Sequence, residues 1–284
     1  MNPGSNPVRH PVITFIGTTP NIGTTAVSFT TAVHVAKRIK GKVGYLCLNL
    51  KSSKLHRYLG KEAPAHTLDG LRAELKAGFL DRTGLLQRCE ILAGMPTLHV
   101  LYGNMLREQA EFYTPEDIRH LIRAARDAFD LTIIEVNAYW DNAATVCGML
   151  EADERMVVTT PDAGHFSEDA EKGLMTMFSL FSIPAESCSL VVTQVDPGVI
   201  DQASIREIER TTGWKTVAVV KRDAGWQTAM NQGRLADYIA RNDKVKREMT
   251  PLADRLVRRH GLEETEPIRA GMRPWRWLPG LGRL

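Results

Sequence analysis

The chain has 284 residues, 43% hydrophobic and 24% charged, with a net charge of +3. That composition belongs to folded globular proteins and excludes a disorder-dominated chain, while the small net charge excludes a globally cationic nucleic-acid binder. No run approaches the roughly 18 to 20 apolar residues that span a bilayer, and Cys47, Cys89, Cys147 and Cys188 are spaced too widely for a C-x-x-C or zinc pattern.

Residues 1–11 carry Pro3, Gly4, Pro7 and Pro11 without the apolar core of a signal peptide, and are expected to form a flexible tail. Val12 to Ile16 is short and β-branched, the pattern of a buried parallel strand, and Gly17 starts a turn. Ala26 to Lys40 has helical apolar spacing and is closed by Gly41; Val43 to Leu50 predicts a second strand. Strand, turn, helix and strand make one βαβ unit.

The same grammar continues with longer excursions. Leu68 to Ala77 predicts a helix, Asp81 to Leu92 is ambiguous, and Leu98 to Tyr102 predicts a strand. Thr114-Pro115-Glu116-Asp117 opens a helix with a capping hydroxyl, a first-turn proline and acids at the positive dipole end. That helix runs to about Ala128.

Strands follow at Leu131 to Val136, Arg155 to Thr160, Ser189 to Thr193 and Thr216 to Val220, with helices at Ser167 to Phe181 and Ile200 to Thr211. From Asn242 to His260 an amphipathic helix is predicted, kinked or split by Pro251. The alternation predicts an α/β fold of three layers: a mostly parallel central sheet with helices on both faces.

The first turn carries the chemistry. A phosphate loop reads G-x-x-x-x-G-K-[ST], with amides around the phosphates, a lysine on the terminal ones and a hydroxyl on magnesium. Gly23 and Thr25 fit that frame, whereas Thr18 stands at the first glycine and Thr24 at the lysine. The plain alternative is a strand-to-helix turn in which Thr18, Thr24 and Thr25 cap the helix; an anion site at the helix start is compatible with either.

With this loop after its first strand, the chain resembles the MinD/ParA family of deviant Walker A ATPases, and most closely its CpaE/TadZ branch, associated with Flp-type pili. Laid over that family's K-G-G-x-G-K-[ST], Thr19 takes the signature lysine, Pro20 and Asn21 the glycines, and Thr24 the second lysine. Cys47 and Asn49 fall where the family has two aspartates. Phe129-Asp130-Leu131-Thr132-Ile133-Ile134-Glu135-Val136-Asn137 resembles its Walker B stretch, with Glu135 for the aspartate and Asn137 for the proline. Leu150 to Asp153 with Val157 to Pro161, and Leu190 to Gln194, resemble two further family strands.

The resemblance implies a domain over residues 12–262, between the tail 1–11 and a basic, tryptophan-containing tail 263–284. It implies a degenerate nucleotide site of Thr18, Thr19, Asn21, Gly23, Thr24 and Thr25, with Glu135 and Asn49 near any magnesium and Thr193 and Gln194 near a base. The cofactor it implies is ATP with Mg. Phosphoryl transfer depends on positioning and electrostatics, so loss of both lysines points away from normal hydrolysis and no catalytic residue is assigned. His99, His120 and His165 are scattered, and no metal cluster is expected.

The expected function is a non-catalytic or weakly nucleotide-binding scaffold or localisation factor, cytoplasmic and peripheral to the inner face of the membrane, with a protein partner in pilus or secretion machinery and a homodimer as its assembly. Arg273, Trp275, Arg276 and Trp277 suit partner or membrane contact. The alternatives are a divergent ATPase switch borrowing Lys51 or Lys54, and a DNA-binding module using Arg255, Arg258 and Arg259; DNA is the weaker of the two.

Overall fold

A computed structural model describes residues 9–51 and 53–265. Among these residues, eight strands form one sheet in the order β3-β4-β2-β5-β1-β6-β7-β8. They are β1 (Val12–Gly17), β2 (Val43–Leu48), β3 (Glu90–Ile91), β4 (Leu98–Leu101), β5 (Leu131–Val136), β6 (Glu154–Thr159), β7 (Cys188–Val195) and β8 (Lys215–Lys221). All pairings are parallel except that of the short edge strand β3 with β4.

Alternation along the strands builds two cores. Val12, Ile16, Leu46, Leu48, Ile134 and Leu190 face one layer, whose helices include α3 (Leu68–Ala77), α4 (Arg82–Gln87), α5 (Pro115–Ala128), α6 (Ala143–Leu150) and α8 (Ile205–Thr212). A π-helical stretch, Gly164–Leu174, runs on into α7 (Met175–Leu180) in the same layer. Ile13, Phe15, Tyr45, Cys47 and Ile133 face the other, built by α1 (Thr24–Ala36), α2 (Leu55–Tyr58), α9 (Ala224–Asn231), α10 (Leu235–Arg241) and α11 (Asp243–Arg259). Burial on both faces explains why the central strands are continuous apolar runs.

The predicted strands agree closely with those observed, but α8 begins at Ile205, capped by Ser204, rather than at the expected Ile200. α3 and β5 have the predicted ends, and α5 carries a full capping box between Thr114 and Asp117. The ambiguous stretch after Asp81 is α4 followed by β3. Pro251 does not split α11, which is one helix of 17 residues. α6, α9 and α10 were not anticipated, although Asn142 and Asp223 cap α6 and α9 with their side chains and could have marked those two starts.

Both ends of the described chain are tied down. The Pro11 carbonyl accepts from Thr132, and that of His10 from the Arg126 guanidinium. Beyond α11, Glu264 bridges Ile39 and Thr265 donates to the Arg38 carbonyl. Residues 1–8 and most of the basic tail, including Arg273, Trp275, Arg276 and Trp277, lie outside the described residues.

Candidate functional site

Parallel strands release their loops along one edge, and β1 at the centre lies between β5 and β6; the chain leaves β1 for β2 on one side and crosses from β5 to β6 on the other, the kind of switch point where open α/β sheets bind ligands. A cleft of about 1220 Å³ opens there. Thr19, Asn21, Gly23, Thr24, Thr25, Asn49, Glu135, Thr193 and Gln194 all line it, so nearly all the site residues expected from sequence come together. Thr18 lies just beneath, 7% exposed.

The turn after β1 has the conformation of an anion cradle. Asn21 and Gly23 have φ of 65° and 97°, and Gly23 is the N-cap of α1 with no side chain closing the helix end. Among the described residues, the amides of Thr19, Asn21, Ile22 and Gly23 reach no hydrogen-bond acceptor. Gly17 is required by close approach: a Cβ there would stand 2.6 Å from Thr24 Oγ1 and 2.8 Å from the Thr19 carbonyl.

These observations correct the expectation that threonine hydroxyls cap the helix. The Thr18 hydroxyl turns to Thr159 Oγ1 at 3.4 Å, and that of Thr25 donates to Glu135. Neither reaches the free amides, so the positive end of α1 stays open to solvent in the cleft.

Glu135 is 2% exposed at the carboxyl end of β5, in register with Cys47 of β2 and Phe15 of β1. One oxygen accepts from Thr25; the other accepts from the Tyr45 hydroxyl at 2.8 Å and the Cys47 thiol at 3.6 Å. Burial pushes the carboxyl up from the ordinary glutamate value, against the pull of these three donors. Burial, with the Glu135 charge behind it, also pushes up the Cys47 thiol, which therefore keeps its proton and donates it. The Tyr45 hydroxyl further shares a 2.9 Å hydrogen bond with Ser28.

Magnesium does not fit these groups. It takes octahedral oxygen coordination with one or two carboxylates, but the aspartate positions after β2 are Cys47 and Asn49, and Glu135 already accepts from Thr25 on one oxygen and from Tyr45 and Cys47 on the other. Among the described residues no group of three or more His, Cys, Asp or Glu side chains could hold a metal ion.

The acids and bases of the cleft divide unevenly. Asp141 is paired with Lys51 at 2.6 Å, and Asp223 accepts from the Gly225 amide and the Tyr238 hydroxyl, each at 2.8 Å. Lys51 is further held by Glu111 at 3.6 Å. Lys54, Arg57, Arg107, Lys221 and Arg222 are exposed and have no ion-pair partner among the described residues. His56 is buried at 7% exposure on α2, whereas the neighbouring Arg57 lines the cleft.

Thr193 and Gln194 differ in what they offer. The buried Thr193 hydroxyl lies 2.7 Å from the Ile22 carbonyl and 3.1 Å from that of Thr159, which fastens the loop to β7. Gln194 has a φ of 56°. Asn137, recognised from sequence only as a replaced proline, lines the cleft at 6% exposure, and its amide has no hydrogen-bond partner among the described residues. Arg107 and Trp226 also line it, and no motif marks either.

No protein-family model matches the chain, and no curated protein matches it. Solved structures do. The chain is similar to a ParA family ATPase from Chlorobium tepidum TLS, at 19% identity over 87% of this chain and 99% of that one, with a TM-score of 0.75. It is similar to the septum site-determining protein MinD of Pyrococcus horikoshii OT3, solved with Mg-ADP, at 17% identity over 89% and 98%, TM-score 0.70. A MinC:MinD cell division complex from Aquifex aeolicus matches at 13% identity over 87% and 95%, TM-score 0.69. The fold is therefore the α/β fold of the MinD/ParA P-loop type.

Proposed function

We propose that this chain is a MinD/ParA-type protein of the CpaE/TadZ kind whose nucleotide site is degenerate, and that it acts as a scaffold or localisation factor in pilus or secretion machinery. The observation that supports this is the pairing of Thr25 with Glu135: the two positions that would serve a magnesium ion are bonded to each other, in a loop without a lysine. Each lost phosphate–lysine contact removes a charge-assisted bond of about 1.5 to 3 kcal/mol. The chemical step loses more, because its stabilisation is electrostatic.

In this reading the sheet persists as a platform. The similar MinD from Aquifex aeolicus was solved with a partner protein, and a protein partner, a homodimer and a peripheral membrane contact through Trp275 and Trp277 are proposed here. No helix among the described residues is long and apolar enough to cross a membrane. The test is phosphate release from Mg-ATP by purified protein. The expected rate equals the protein-free background; saturable turnover abolished by Thr25→Ala overturns the proposal.

A second reading, a divergent ATPase with a borrowed lysine, is favoured by one observation: Lys54 is exposed beside the loop without an ion-pair partner among the described residues, whereas Lys51 is committed to Asp141 and Glu111. Loss of turnover in Lys54→Ala would support it. The DNA-binding reading is weakened, since Arg255 and Arg259 both reach the buried Glu154.

A further inference from the structure

Three observations at the cleft are left over once the lost magnesium chemistry is accounted for. Among the described residues, the amides of the turn from Thr19 to Gly23 reach no acceptor, and no side chain caps the positive end of α1. Asn137, more than nine-tenths buried, lines the same space with a side-chain amide that has no hydrogen-bond partner among the described residues. Five exposed cations, Lys54, Arg57, Arg107, Lys221 and Arg222, line it without an ion-pair partner among the described residues, while each acid that lines it already has partners within the chain.

A site that had simply decayed would have no reason to keep its bases unpaired and its acids neutralised. Unpaired like charges on low-dielectric walls repel one another and focus a positive potential into the cleft. That arrangement costs stability unless an anion arrives to use it. We infer that the cleft takes a polyphosphate anion without a metal ion, the loop amides and Asn137 holding the phosphate nearest α1 and the flanking lysines and arginines supplying the charge that magnesium supplies in other phosphate loops. The inference rests on the reading of a site that no longer hydrolyses ATP, and it names that site's ligand.

Free ATP carries more negative charge than its magnesium complex. A site with five unpaired cations and no metal ligands therefore prefers the free anion, the reverse of a magnesium-dependent ATPase. Trp226, beside Val220 and Met230, lines another part of the cleft and offers an apolar wall to a base. The same polyphosphate chemistry could come from a nucleotide or from inorganic polyphosphate, and the ligands tested separate the two.

The experiment is isothermal titration of the full chain with ATP in EDTA, with ATP in excess magnesium, and with tripolyphosphate in EDTA. Binding of ATP is expected in EDTA, weakened several-fold by magnesium. Equal affinity for tripolyphosphate identifies the phosphates alone as ligand; tighter binding of ATP identifies a nucleotide. Lys54→Glu with Arg57→Glu, both exposed positions, is expected to weaken binding on the order of tenfold or more without lowering the melting temperature of the ligand-free protein. Tighter binding in magnesium, no binding of either anion at millimolar concentration, or an unaffected double variant overturns the inference. Absence of binding leaves the scaffold reading intact, whereas turnover of Mg-ATP removes that reading first.

Discussion

The Thr25 hydroxyl donates to the Glu135 carboxylate, joining the first turn of α1 directly to the end of β5. Glutamate is one methylene longer than aspartate, and here its second oxygen also engages Tyr45 and Cys47 of β2. One carboxylate thus knits the first turn of α1 to β2 and β5.

Restoring the lysines should not restore chemistry. In Thr19→Lys with Thr24→Lys the loop regains its charges, but Cys47, Asn49 and the engaged Glu135 still supply no free carboxylate for metal or water. Phosphate release from Mg-ATP is expected to stay at background. A double variant that turns over ATP at rates typical of related ATPases would show that the lysines alone were missing.

Glu135→Gln should change stability in a pH-dependent way. Burial raises the folded carboxyl above its ordinary value of 4.5, so the stability tied to its protonated form is full below that value and is lost as pH rises through the folded pKa. The glutamine variant does not titrate. Its stability relative to wild type should therefore improve as pH rises above 4.5 and level off once the folded carboxyl has ionised, as read by urea denaturation. A pH-independent difference would contradict the raised pKa.

Glu154 is 1% exposed at the start of β6 and is reached by Arg255, by Arg259 at 3.4 Å and by His260 at 3.4 Å. Burial opposes its charge, but the close approach of His260 and the hydrogen bond and charge of Arg255 outweigh burial and hold the carboxyl below the usual glutamate range. Arg255→Ala should cost about 2 kcal/mol near neutral pH, the penalty of an under-satisfied buried charge. Since a depressed pKa contributes stability above the unfolded value and loses it in acid, the deficit should shrink below about pH 4.5. A deficit that does not respond to acid would assign the loss to packing instead.

The capping box of α5 gives a local test. The Thr114 hydroxyl accepts from the Asp117 amide at 3.3 Å, and the Asp117 carboxylate from the Thr114 amide at 2.8 Å. Thr114→Ala should cost about 1 kcal/mol in thermal or urea unfolding, and Thr114→Ser should recover most of it. Equal losses in both would argue that the threonine methyl, not the cap, carries the effect.

Most of the framework was legible because its signals are local. Strands such as Leu131–Val136 announce themselves as β-branched apolar runs, and α5 by its cap, proline and first-turn acids. The helices that escaped notice are short, and α10 begins after Arg234, whose side chain makes no cap hydrogen bond. The π-helical stretch from Gly164 to Leu174 has ordinary helical periodicity in its sequence, so only the hydrogen-bonded backbone distinguishes it.

By itself, the sequence determined the alternating βα order, the loop after the first strand, and which chemical groups that loop lacks, since each depends on residues adjacent in the chain. What the groups that remain do was decided by the tertiary structure. Thr25 and Glu135 are 110 positions apart, and only the placing of β5 between β1 and β2 brings them into contact and turns the threonine away from helix capping. Likewise, Lys51 and Lys54 look equivalent in sequence, yet Asp141 neutralises one and leaves the other facing the cleft. Hydrogen bonds and ion pairs of this kind are settled by distances of a few ångströms between remote segments, which periodicity and motif spacing do not encode.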